Sequence, residues 1–169
     1  GEVVERFQAL MNPGQRVSSF IENYTGITNK MLSKAAPCDE VMDEFAHFMG
    51  NSNLVAHNAS FDKRFLDAEL RRISRPYSGT FACSLLVARR LYQHAPNHKL
   101  GSLIAYKKIP SQGGFHRALF DSEMTSKLWM AMLQDIAQLT TRADVPFALI
   151  QKLSKTPKKA VNKLLSSIA

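Results

Sequence analysis

His116 and Asp121, separated by four residues in His116-Arg117-Ala118-Leu119-Phe120-Asp121, stand at the opening of a long helical pattern. At about 100° per residue, Asp121 stacks with Ala118, Thr125, Leu128 and Met132 on one stripe. An acid therefore lies on the face that should be oily. An ionised carboxylate there is costly unless a cation, hydrogen-bond donors or a metal ion compensates it. A second acid, Asp62, ends the run Val55-Ala56-His57-Asn58-Ala59-Ser60-Phe61-Asp62, which passes from a short apolar strand into another helix. Two acids at the mouths of such elements, with one histidine, suggest metal-dependent cleavage of phosphodiesters.

The elements that must position these residues follow from periodicity. Glu2 to Asn12 reads as a strand with Val3, Glu5, Phe7, Ala9 and Met11 on one face, and Pro13-Gly14 ends it. Tyr24-Thr25-Gly26-Ile27-Thr28 reads as a loop or short turn before Met31 and Leu32. Residues 38–49 predict a helix with Val41, Met42, Phe45, Phe48 and Met49 inward, closed by Gly50. A short buried strand spans Leu54 to His57, and the helix over 60–74 carries Phe61, Phe65, Leu66, Leu70 and Ile73. A further strand at Thr80 to Cys83 precedes helices near 84–94 and 99–106, and a Gly-containing loop leads into a helix over 117–137. Strands alternating with helices indicate an α/β domain.

The chain has 169 residues, 45% of them hydrophobic, enough for a substantial core. No stretch approaches the roughly 20 apolar residues of a membrane span, so no membrane partner is expected. Cys38 and Cys83 are too few and too far apart for a zinc cluster or a disulfide framework, and a reducing cytoplasm is the expected location. The net charge of +8 favours a polyanionic partner. Residues 151–169 hold Lys152, Lys155, Lys158, Lys159 and Lys163 with no acid, so the tail supplies most of that excess. Thr156-Pro157 is a good helix start. The stripe Val161, Leu164, Leu165 and Ile168 could dock on the body, bind a protein partner, or present the lysines to nucleic acid. The expected division is residues 1–140 as one domain and 141–169 as a basic helical extension.

Taken in order, these residues resemble the motifs of the DEDD exonuclease superfamily in its histidine-bearing variant, DEDDh. That family includes the proofreading epsilon subunit of bacterial DNA polymerase III. Its second motif is matched by His57 through Asp62, its third by His116 through Asp121, and Thr25-Gly26-Ile27-Thr28 fits upstream. The resemblance covers roughly residues 2–137. It implies a ribonuclease H-like α/β fold, a mixed central sheet flanked by helices. It also implies 3′–5′ removal of nucleotides from a single-stranded or frayed DNA 3′ end, with RNA as the second substrate choice. Magnesium or manganese would serve as a pair of ions, with Asp62 and Asp121 as ligands and His116 as general base. Gly26, Ile27, Thr28, His57, Asn58 and Phe61 would meet the substrate.

One departure is informative. The family's first motif, an Asp-x-Glu on the first strand, has no counterpart here, and the fold is expected to lack its first two strands. Asp67-Ala68-Glu69 has the right letters, but inside a helix residues two apart point about 200° from each other. Two of four acids are then missing. Residues 1–169 by themselves should bind catalytic metals poorly and be inactive as a fragment. The alternative function is a non-catalytic nucleic-acid-binding or polymerase-associated module derived from an exonuclease. Exposed strand edges would also permit a strand-exchanged homodimer.

Each residue has a plainer reading. Asp62 could be a first-turn acid stabilised by the helix dipole, Asn58 a helix cap, His57 a strand-end side chain and His116 a surface loop histidine. Phe61 reads as core. His47, His94 and His98 show no convergent partners in sequence and are read as structural.

Overall fold

The computed structural model describes residues 2–111, 118–142 and 144–168. The chain divides into two compact units, Gly1–Ser52 with Lys63–Gly79, and Asn53–Asp62 with Thr80–Ala169.

In the first unit, strand β1 (Met11–Asn12) pairs in parallel with β2 (Ala36–Pro37). Between them lie helices α1 (Ser19–Thr25) and α2 (Asn29–Leu32), and α3 (Cys38–Met49) follows. The expected strand over Glu2 to Asn12 reduces to Met11–Asn12. Its alternation does not bury a face, since Val3 is 51% and Val4 96% exposed. Phe7 packs against the rings of Phe45 and Phe48 at 5.4 and 5.5 Å. A strand forms where its peptide groups gain a partner, and here only the last two residues do. Helix α1 falls where no element was expected. Its ends are built locally: the Ser18 side chain accepts from Ile21 N, and Gly26 at φ 72° donates its N–H to Glu22 O. That left-handed cap suits glycine.

Helix α4 (Ala59–Arg72) contributes Leu66 and Leu70 to the buried set of the first unit, with Val41, Met42 and Met49 of α3. Phe61 and Phe65, expected inside, are 55% and 54% exposed. A 100° step cannot bury 61, 65, 66, 70 and 73 on one narrow stripe, and the two leucines take it. Arg75 binds Asp43 at 2.6 Å and holds that carboxyl below the usual range. Gly79 has no alternative at its position, because a Cβ there would collide with the Tyr77 hydroxyl and the Ser52 carbonyl.

The second unit holds the parallel pair β3 (Leu54–Ala56) and β4 (Phe81–Cys83), in register Leu54 to Phe81, Val55 to Ala82 and Ala56 to Cys83. Helices α5 (Ser84–Leu91), α6 (Leu100–Tyr106), α7 (Ala118–Thr140), α8 (Phe147–Lys155) and α9 (Val161–Ser166) complete it, with a 3-10 turn at Lys158–Ala160. The α/β class holds, and among the described residues the sheet structure consists of two parallel pairs rather than one mixed sheet. Helix α7 is the spine. Met124, Leu128, Met132 and Ile136 lie along its buried face and pack with Val87, Leu103, Ile104, Ile150 and Leu153. Each 0%-exposed leucine of this kind contributes about 1.5–3 kcal/mol of burial. The apolar stripe of the tail docks on this core, Val161 and Leu165 fully and Leu164 and Ile168 partly. The Thr156-Pro157 signal falls at the start of the 3-10 turn, whose N-cap residue is Pro157, ahead of α9, and α8, with Pro146 as its N-cap residue, is a further helix before it.

Candidate active site

Strand β3 delivers the chain to the site. His57 follows its last residue, half-buried, and both ring nitrogens are engaged: Nδ1 with Ser84 Oγ at 2.9 Å and Nε2 with the His98 carbonyl at 2.9 Å. A carbonyl can only accept, so Nε2 carries the proton, and the single Ser84 hydroxyl proton is shared between two acceptors, His57 Nδ1 and Ala56 O. Burial pushes the His57 pKa below 6.5, against the opposing pull of the His98 carbonyl. Ser84 is wholly buried at the start of α5 and also lies 3.2 Å from Ala56 O. His98 in turn places its own Nε2 3.1 Å from Tyr92 O. His57 therefore ties the end of β3 to the start of α5 and to the approach to α6.

The chain then turns sharply. Asn58 adopts φ 76°, a left-handed conformation that asparagine tolerates better than most residues. Its carbonyl accepts from Phe61 N at 3.1 Å, which opens α4. Ala59 is buried under the turn, Phe61 is exposed, and Asp62 is exposed in the first helical turn. Asp121 occupies the equivalent place on α7, half-buried in the first turn, with Thr125, Leu128 and Met132 buried beyond it on the same stripe. Both acids belong to the second unit and sit at positively polarised helix ends, which favour a charged carboxylate. His116 lies outside the described residues.

Gly26, Ile27 and Thr28 belong to the first unit. Gly26 caps α1, Ile27 is half-buried with its N–H on Thr25 Oγ1, and Thr28 caps α2 through Met31 N at 3.2 Å. Neighbouring Asn29 braces the segment, accepting from Val17 N at 2.8 Å and donating to Val17 O at 3.0 Å. Asp67 and Glu69 are taken up by surface ion pairs with Lys63 and Arg72. They therefore diverge, as their helical spacing requires.

Among the described residues, no three His, Cys, Asp or Glu side chains come together closely enough to hold a metal ion. The described residues thus do not by themselves make up a complete two-ion site. A polar cluster unseen in the sequence lies elsewhere in the second unit. Tyr92 donates to Asp135 at 2.6 Å, Lys107 bonds the same carboxylate at 2.7 Å, and its ammonium lies 5.1 Å from the Tyr92 ring centre. Burial, then the Asp135 bond, pushes the Tyr92 pKa far up. Its partners are separated by 43 and 28 positions along the chain, so no local spacing announces it.

Comparison with known proteins bears on this arrangement. Residues 1–129 match the RNase_T family model, described as exonuclease. The chain belongs to the DEDD exonuclease family. Among this family's members, the PolC-type DNA polymerase III of Bacillus cereus is 38% identical over 144 residues, and that of Bacillus subtilis 37% over 145. The Listeria innocua protein is 34% identical over 140 residues. Each alignment covers 82% of this chain but 10% of the relative, so the chain spans about a tenth of those polymerases. Exonuclease X, solved in complex with 5′ overhanging duplex DNA, superposes with a TM-score of 0.67 at 23% identity. That match covers 90% of this chain and 83% of the other, and establishes the ribonuclease H-like fold. The exonuclease match includes His57 through Asp62 and Asp121, and stops inside α7. No helix among the described residues is long and apolar enough to cross a membrane.

Proposed function

We propose that this chain is a 3′–5′ exonuclease domain of the histidine-bearing DEDD type, acting on single-stranded or frayed DNA 3′ ends. The observation that carries this reading is the matched placement of Asp62 and Asp121. Each occupies the first turn of a helix in the same unit, within the stretch matching the exonuclease model. Their oxygen ligands suit magnesium or manganese, but a two-ion site needs further carboxylates, and residues 1–169 alone should turn over poorly. His116 would take the proton of the attacking water, a role that an imidazole of pKa near 6.5 fills well. Exposed Phe61 and the turn at Asn58 would offer contacts to a terminal nucleotide, while Gly26, Ile27 and Thr28 of the first unit are proposed substrate contacts on the family resemblance alone. His57 acts in this reading by fixing that turn. It serves as a positioning residue.

The second reading, a binding module without catalysis, takes its support from the described residues alone, among which no three His, Cys, Asp or Glu side chains converge. Product analysis separates the two. A DNA strand labelled at its 5′ end and uniformly along its nucleotides is incubated with manganese and the chain, alone and joined to a strand supplying Asp-x-Glu. The exonuclease reading predicts stepwise nucleoside monophosphates from the 3′ end in the joined protein, and their loss with Asp62→Asn or Asp121→Asn. Tight DNA binding with no release in either protein would favour the module, and release that survives Asp121→Asn would remove that residue from the site. Substituting an RNA strand in the same assay ranks the two substrates.

A further inference from the structure

The C-terminal segment separates its apolar residues from its charge. Ile150, Leu153, Val161 and Leu165 enter the core of the second unit, while Lys152, Lys155, Lys158, Lys159 and Lys163 are exposed. No acid occurs from residue 145 to 168. Lys152 and Lys155 are three apart on α8, which brings their Cβ atoms within about 5–6 Å. The turn holding Lys158 is fixed from α5, where Arg90 Nε donates to Thr156 O at 3.0 Å, and from the segment after it, where Gln93 Nε2 donates to Lys158 O at 3.2 Å. Other lysines are neutralised nearby, Lys63 by Asp67 and Lys107 by Asp135. Among the described residues, none of the five tail lysines has an ion pair.

We propose that this lysine surface binds the phosphate backbone of duplex DNA, holding the double-stranded part of the substrate while its 3′ end is processed. The proposal rests on the exonuclease reading for its context. It differs from a protein-docking role because the apolar stripe that would recognise a protein is consumed inside the chain's own core. Duplex is favoured over single strand by composition. Single-strand sites stack bases on aromatic side chains, and the one aromatic residue in 145–168, Phe147, is half-buried with its ring 6.4 Å from Trp129. Duplex DNA also has the denser charge, about one per 1.7 Å of axis.

The test uses a covalently closed dumbbell duplex, which has no 3′ end, in chelator, with affinity measured against salt. A reaction-site failure cannot affect this readout, so the lysine proposal and the exonuclease reading fail separately. If all five lysines engage phosphates, log Kd should vary with log salt at a slope of about 4–5. Lys152→Gln, Lys155→Gln and Lys159→Gln together should reduce that slope to about 2 and cut the loss of affinity between about 50 and 200 mM salt by roughly 40-fold. The same three positions changed to Arg should retain the wild-type slope, and Arg16→Gln, Lys30→Gln and Lys34→Gln in the first unit should leave it unchanged. Equal affinity and slope for the tail glutamine variant would overturn the proposal. So would tail-dependent binding of a single strand tighter than the dumbbell, or no binding of the dumbbell at all.

Discussion

The two units differ in how completely they close over their apolar residues. In the second unit Val87, Leu128, Met132 and Ile136 are fully enclosed, and every such side chain among the described residues belongs there. The first unit's most buried residue, Val41, keeps 3% exposure, while Phe20 is 71% and Phe65 54% exposed. A closed core holds attached side chains in place, whereas an open one leaves its helices to local caps and short hydrogen bonds. Asp62 and Asp121 both belong to the second unit, Asp62 exposed and Asp121 half-buried. The comparison teaches that Asp121 inherits its position from α7, and that the Gly26 segment depends on Ser18, Asn29 and the left-handed glycine.

The largest effect that would sharpen this contrast is a cavity in the spine. Leu128→Ala should cost about 2–5 kcal/mol in a denaturant melt, because its enclosed neighbours relax only in part. Leu66→Ala, at 9% exposure in the first unit, should fall at or below the bottom of that range. Equal losses would erase the distinction. Gly79→Ala should cost about 1–3 kcal/mol by overpacking, since its Cβ would lie 2.4 Å from the Ser52 carbonyl. Amide exchange should show that loss in the first unit's residues 1–52 and 63–79, and a uniform loss across both units would contradict it.

Much of this architecture was legible in the sequence, and the exceptions share a cause. The helices α3, α4 and α7 and the strands β3 and β4 announce themselves through apolar periodicity, a local property. The strand over Glu2 to Leu10 failed because alternation describes a face but does not supply a pairing partner. Helix α1 was missed because its apolar residues Phe20, Ile21 and Tyr24 fall within a span of only seven residues, and none of its residues is buried. At the site, Asp62 and Asp121 were readable as helix-opening acids. The bonds of His57 to Ser84 and His98 were not, being 27 and 41 positions distant. Only the folded chain brings those groups together.

His57 offers a smaller test of the closed unit. Burial lowers its pKa from 6.5, so the folded chain resists the proton that the unfolded chain takes up. Its contribution is therefore complete above about pH 6.5 and is lost as pH falls through the lowered folded value. Wild-type stability should decline over that window with a component that His57→Gln lacks. Parallel pH profiles for the two proteins would refute the assignment. The smallest expected change is that of Asp121→Asn in chelator. It should alter stability by no more than about 1 kcal/mol, the scale of a first-turn dipole effect. A loss of about 3–5 kcal/mol would instead mark Asp121 as half of a buried ion pair.

The most direct measurement is the rate of mononucleotide release by His116→Ala in the protein joined to a strand supplying Asp-x-Glu, with manganese, across pH 6–9. If His116 activates the attacking water, kcat should fall by about 10²–10⁴-fold. KM should stay close to the wild-type value, since a general base acts mainly in the transition state. Near-full activity of His116→Ala across that pH range would contradict the account.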